Sequence, residues 1–216
     1  MVEGLAESRN PYEGNRDDRR NDQRKRESVI IGIVAFQGAC REHETLLLKR
    51  GWSVRRILKG EDLEGTKGLI FPGGESTVMK RFFEEEGFQK AFRRWRDKGH
   101  PFWGICAGAV LLSQKVDGRI NPCGVIDVSL ERNAYGRHRE SDSRKIAFND
   151  GTTVEGIFIR APRITETGAS VHIEARSEGD PVVLRDGKAW LTTWHPELRD
   201  GAGLYEKVFL QSHGDS

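Results

Sequence analysis

From residue 29 onward the chain carries two hydrophobic periods in turn. Val29-Ile30-Ile31-Gly32-Ile33-Val34-Ala35-Phe36 is an unbroken apolar run rich in β-branched residues, the pattern of a strand covered on both faces, as in a parallel sheet. Residues 39–50 switch to a helical reading, with Leu46, Leu47 and Leu48 as apolar positions and Gly51 as a stop. A second strand over 52–57 completes a strand–helix–strand unit. A third strand at 68–71 opens into Pro72-Gly73-Gly74, and Val78, Met79, Phe82, Phe83, Phe88, Phe92 and Trp95 predict one helix over 76–98. The fourth strand, 101–105, runs straight into Cys106. Alternation of this kind predicts an α/β fold with an open, mainly parallel central sheet and flanking helices. Over 124–195 strand-like segments dominate instead, at 124–128, 153–159, 171–175, 181–185 and 189–193, separated by charged turns. They predict antiparallel strands added to one edge of the sheet, before a closing helix at 203–211.

The first 28 residues lack this patterning. They hold seven Lys/Arg, seven Asp/Glu and only five apolar residues (Met1, Val2, Leu5, Ala6, Tyr12), too few to offset the entropy of ordering the segment. Residues 1–28 are therefore expected to form a disordered charged leader, 29–211 one domain, and 212–216 a short tail. The leader has no apolar core like that of a secretory signal and is too acidic for a mitochondrial transit peptide. Over all 216 residues, 35 Lys+Arg against 33 Asp+Glu leave a net charge of +2, which excludes the footprint of a dedicated nucleic-acid binder. No run approaches the roughly 18 apolar residues of a membrane-spanning helix. The three cysteines, Cys40, Cys106 and Cys123, form no Cys-x-x-Cys pair and no metal-ligand spacing. An odd count without an export signal points to reduced thiols in the cytoplasm.

Chemistry concentrates at three places. In Trp103-Gly104-Ile105-Cys106-Ala107-Gly108-Ala109 a strand ends, a small-residue turn carries one cysteine and an apolar helix begins. This is the layout of a nucleophile elbow, which lifts a reactive side chain over the carboxyl edge of a sheet. A cysteine there is also a common small core residue. Near the C-terminus, Trp194-His195-Pro196-Glu197 can set an imidazole beside a carboxylate that selects its tautomer. The same residues also suit a surface turn. Pro72-Gly73-Gly74-Glu75-Ser76 ends a strand at the same edge, and paired glycines can turn backbone N–H groups toward an oxyanion. An ordinary strand–helix turn with Ser76 as N-cap fits as well. His43, in Arg41-Glu42-His43, is a candidate partner contact, while the remaining histidines lack a paired context.

Taken together these residues resemble the triad-type glutamine amidotransferases. Within them the chain is most similar to the glutaminase subunits of pyridoxal 5′-phosphate synthases. Five motifs in order carry the resemblance: Phe36-Gln37-Gly38-Ala39-Cys40-Arg41-Glu42-His43, Pro72-Gly73-Gly74-Glu75-Ser76-Thr77, Gly104-Ile105-Cys106-Ala107-Gly108, Glu131-Arg132-Asn133-Ala134-Tyr135-Gly136-Arg137 and Ile157-Phe158-Ile159-Arg160-Ala161-Pro162. Val110, where other amidotransferases often carry glutamine, favours the pyridoxal branch. The resemblance implies Cys106 as nucleophile, His195 as general acid and base, and Glu197 as its orienter. It implies substrate contacts at Gly74, Glu75, Ser76, Arg132, Ile159 and Arg160, and an oxyanion hole from the Gly74 and Ala107 N–H groups. Gln37 is implied in activation on docking. The substrate would be L-glutamine, the partner a synthase subunit that receives ammonia, with no metal or organic cofactor, no nucleic acid and no membrane. Two alternatives stay open: a glutaminase serving another biosynthetic acceptor, or a non-catalytic redox or binding module of the same fold.

Overall fold

The apolar runs become a sheet because each can be covered twice. In the computed structural model, which describes residues 26, 28–134, 142–199, 201 and 203–210, the first half builds β1 (Ile30–Val34), α1 (Cys40–Lys49), β2 (Ser53–Ile57), β3 (Gly68–Phe71), α2 (Ser76–Phe83), α3 (Glu86–Arg96), β4 (Phe102–Ile105) and α4 (Ala107–Leu112). The second half adds β5 (Ser113–Val116), β6 (Arg119–Ile120), β7 (Ile126–Glu131), β8 (Asp142–Phe148), β9 (Thr153–Phe158), β10 (Arg163–Thr167), β11 (His172–Ser177), β12 (Asp180–Asp186), β13 (Ala189–Thr192) and α5 (Leu204–Phe209). The expected leader, apart from Arg26 and Ser28, the tail, and Tyr135-Gly136-Arg137 of the fourth motif lie outside the described residues.

A nine-stranded sheet runs β2-β1-β3-β4-β13-β12-β11-β8-β9. Its first five strands are joined by parallel pairings and the rest by antiparallel ones. The α/β reading therefore holds, with two corrections among the later strands. Ala189-Trp190-Leu191-Thr192 is buried throughout, and β13 lies parallel against β4 inside the sheet instead of antiparallel at its edge. The segment expected at 124–128 is β7, which leaves the main sheet for a second one of order β10-β7-β5-β6. The reason is its alternation: Ile126, Val128 and Leu130 are buried while Asp127 and Glu131 are exposed, so only one of its faces can meet the core.

The helix expected over 76–98 is two helices. Glu84 ends α2 and Glu85 adopts an extended conformation before α3. On an unbroken helix the step from Phe83 to Phe88 would rotate Phe88 by about 140° away from the core. The break re-aims it, so that Met79 and Phe83 join Phe88, Phe92 and Trp95 in one buried cluster. Phe83 and Phe92 lie edge-on 5.4 Å apart, and Phe71 of β3 meets Phe92 at 5.2 Å.

Alternate residues of the central strands divide the core between the two faces of the sheet. Leu69, Phe71 and Phe102 pack with α2, α3 and α4. Ile70, Trp103 and Ile105 pack with α1 and α5 through Leu47, Leu204, Tyr205, Val208 and Phe209. Buried Trp103 donates its indole N–H to Thr192 Oγ1 at 2.7 Å, tying β4 to β13. The two strands that carry the sequence-predicted cysteine and histidine are thereby held in register.

Candidate active site

Cys106 follows β4 at φ +48°, ψ −101°, a conformation that costs a non-glycine residue on the order of 1–3 kcal/mol and persists only where the surroundings impose it. The surroundings are visible. The Cys106 N–H donates to Thr192 O at 2.8 Å, and α4 starts at the next residue. A Cβ on Gly108 would stand 2.0 Å from Phe71 O, and one on Gly104 would stand 2.7 Å from Gly108 O. The two glycines let α4 lie against β3 and β4 so closely that Cys106 has to turn outward. Cys106 as a residue is 8% exposed, with Sγ 3.8 Å from Ile159 O.

The His-Pro-Glu segment leaves β13 beside it. His195 donates its backbone N–H to Ile157 O at 2.8 Å, and Pro196 begins a 3-10 turn (Pro196–Leu198). That turn folds Glu197 back under the ring, with Nδ1 to Oε1 at 2.7 Å. Burial is the largest influence on His195 and disfavours its charge, but the hydrogen bonds and charges of Cys106 and Glu197 outweigh it and raise the imidazole to about 10. For Glu197, burial likewise works against the carboxylate, and the hydrogen bond from His195 prevails and keeps its pKa below the usual value. The site thus favours an ion pair between imidazolium and carboxylate next to the Cys106 sulfur, an arrangement suited to acyl transfer.

The glycine loop closes the other side. A Cβ on Gly73 would lie 2.5 Å from His195 Cε1, so the bare Cα is what lets the loop pack on the ring. Gly73 O accepts the Ala39 N–H at 3.0 Å, which ties this loop to the β1–α1 loop where Gln37 stands exposed. Because a trans peptide directs its C=O and N–H oppositely, the Gly74 N–H points away from Ala39. Ala107 is the first residue of α4, and its N–H has no intrahelical acceptor. Glu75, not Ser76, takes the N-cap position of α2, without a side-chain cap bond.

Of the expected substrate contacts, Ser76 and Arg132 share the lining of a 520 Å³ cleft with Thr77, Lys80, Val110 and Asn121. Asp117 holds Arg132 there, accepting its Nε at 2.7 Å and its backbone N–H at 2.9 Å. Ile159 offers its carbonyl to Cys106, whereas Glu75 and Arg160 are exposed and outside the cleft lining. Asp117 carried no sequence signal, since its partner lies 15 residues away. The other two cysteines read as bystanders: burial raises the Cys40 thiol, and burial with the nearby Glu84 carboxylate raises Cys123 to about 11.

His43 corrects an expectation. It is fully buried beneath the triad, with Nδ1 2.6 Å from Tyr205 Oη and Nε2 3.7 Å from Glu197 Oε2, and so cannot touch a partner. Tyr205 is 162 positions away in sequence, so no local pattern could have joined them.

A family model described as the SNO glutamine amidotransferase family matches residues 33–213. The chain belongs to this family. It is 41% identical over 184 residues to pyridoxal 5′-phosphate synthase subunit PdxT of Thermotoga neapolitana, covering 84% of this chain and 97% of the relative. The PdxT of Halalkalibacterium halodurans is 40% identical over 185 residues, covering 85% and 94%. A solved structure titled as a glutamine amidotransferase superposes with a TM-score of 0.79 at 35% identity, covering 85% of this chain and 98% of that one. The SNO amidotransferase match spans the Cys106 turn, the glycine loop and the His-Pro-Glu turn alike. Among the described residues no helix is long and apolar enough to cross a membrane.

Proposed function

We propose that the chain is the glutaminase of a pyridoxal 5′-phosphate synthase, hydrolysing L-glutamine to L-glutamate and ammonia and passing the ammonia to a synthase subunit. The observation that carries this reading is the strained Cys106 next to a buried His195–Glu197 pair 2.7 Å apart, in a chain 41% identical to a PdxT. Cys106 thiolate attacks the side-chain amide carbon, and the Gly74 and Ala107 N–H groups receive the oxyanion. His195, held charged by Glu197, gives its proton to the departing nitrogen, and ammonia leaves a γ-glutamyl thioester. His195, now neutral, takes a proton from water as it attacks the thioester; glutamate departs and the thiolate is restored. Arg132, pinned by Asp117 in the cleft that Ser76 also lines, suits the substrate's α-carboxylate, and the Ile159 carbonyl facing Cys106 suits its amide or ammonium N–H groups. Gln37, on the loop bonded to Gly73, suits relay of synthase docking to the oxyanion hole. Three unpaired cysteines fit a reducing cytoplasm. A redox module would have no use for a carboxylate-oriented histidine beside its cysteine, which disfavours that alternative.

The test is ammonia release from glutamine by the full chain with and without a pyridoxal 5′-phosphate synthase subunit. Wild type gains activity with the subunit, and Cys106→Ala has none while still folding and binding the subunit. Full release by Cys106→Ala would overturn the reading.

A further inference from the structure

His43 plays no part in the steps above, yet it sits under them. Its ring lies edge-on to Trp103 and tilted against Tyr205. Nε2 faces Glu197 Oε2, the carboxylate oxygen that His195 leaves unused. Both atoms are buried, and neither makes a hydrogen bond at the distances seen. Left so, Glu197 would be a half-satisfied buried anion, a costly state, and its carboxylate would be free to turn about a soft terminal torsion.

Chemistry allows one favourable arrangement. Burial, opposed by Glu197, holds the His43 imidazole below its ordinary pKa, so it is neutral and carries a single N–H. With the proton on Nδ1, a lone pair on Nε2 would face an anionic oxygen. With the proton on Nε2, the Tyr205 O–H donates to Nδ1 and the Nε2–H points at Oε2. The charged and titratable groups facing the ring are Glu197 from the 3-10 turn, His195 just before it, Tyr205 from α5 and Glu42 from its own helix. A separation of 3.7 Å closes to a hydrogen bond with a small turn of the carboxylate, as site contacts often tighten when substrate binds.

We infer that His43 is a positioning residue whose Nε2–H holds Glu197 Oε2, joining Tyr205, His43, Glu197, His195 and Cys106 into one hydrogen-bonded chain. Its kinetic consequence rests on the glutaminase reading; its effect on the titration of His195 does not. Two variants separate bonding from packing. His43→Leu fills the space without a donor. His43→Gln offers an amide N–H to Glu197 and a carbonyl to the Tyr205 hydroxyl.

With the synthase subunit present, His43→Leu lowers kcat about tenfold with KM for glutamine little changed, and His43→Gln recovers most of that loss. In the free chain, nitrogen-15 histidine NMR shows the His195 titration moved upward in His43→Leu, because a carboxylate with one donor fewer concentrates its charge on the imidazolium, and returned toward wild type in His43→Gln. Equal losses in both variants, or a His195 titration unmoved in a folded His43→Leu chain, would overturn the inference. If wild type itself releases no ammonia, the glutaminase reading fails while the NMR comparison still decides the role of His43.

Discussion

Adding one methyl group at Gly73 should disable this site while leaving the fold standing. The Cβ of Gly73→Ala would lie 2.5 Å from His195 Cε1 and 3.0 Å from Nδ1, where carbon atoms ordinarily rest about 3.5–4 Å apart. Something must therefore yield by about 1 Å. The ring is held by its 2.7 Å bond to Glu197. The loop is held by the Ala39 N–H on Gly73 O, and a Cβ on Gly74 would already stand 2.9 Å from Gly38 Cα, so that neighbour is just as tight. Displacing a reacting group by about 1 Å costs about a hundredfold in rate, whereas overpacking costs about 1–3 kcal/mol of stability. We expect kcat for ammonia release with the synthase subunit to fall about a hundredfold, with thermal unfolding only several degrees lower. Gly51→Ala is the control: at φ +80° it is strained, but nothing lies within 4 Å of its Cβ, so it should lose stability without losing turnover. A folded Gly73→Ala chain with wild-type kcat would refute the claim that this loop and the His195 ring are in contact.

Two further predictions concern strain and charge. Cys106→Gly and Cys106→Ala both remove the thiol, but only glycine relieves φ +48° at the start of α4, so the glycine variant should be the more stable by about 1 kcal/mol in urea unfolding; a more stable alanine variant would deny the strain. His195 has its folded pKa raised to about 10 from 6.5, so its stabilising contribution is complete below about pH 6.5 and is lost as pH rises toward 10. The urea midpoint of wild type should decline across that window more steeply than that of His195→Asn, and parallel declines would contradict the assignment.

Much of the molecule was legible before folding. The apolar runs at 30–34, 68–71 and 102–105 announce doubly covered strands, because a strand buried on both faces cannot afford polar alternation. Cys106 between small residues, Gly73-Gly74 after β3 and His195-Pro196-Glu197 after β13 are also local, since each depends on a turn that its own few residues define. Less visible was the break between α2 and α3, which follows from where Phe88 must point. Harder still was β13, whose parallel place beside β4 inside the sheet depends on which distant strand comes to lie there.

Sequence alone therefore determined the α/β class, the turn that carries Cys106 and the placing of His195 and Glu197 around one proline, because backbone period and turn chemistry act over a few residues. Only the tertiary structure decided that His43 and Tyr205 stand behind Glu197, that Asp117 pins Arg132, and that Gly73 bears on the His195 ring. The first and last of these contacts join residues far apart in the chain and exist only once the main sheet has brought its strand ends together, while Asp117 meets Arg132 only because β5 and β7 pair side by side in the second sheet.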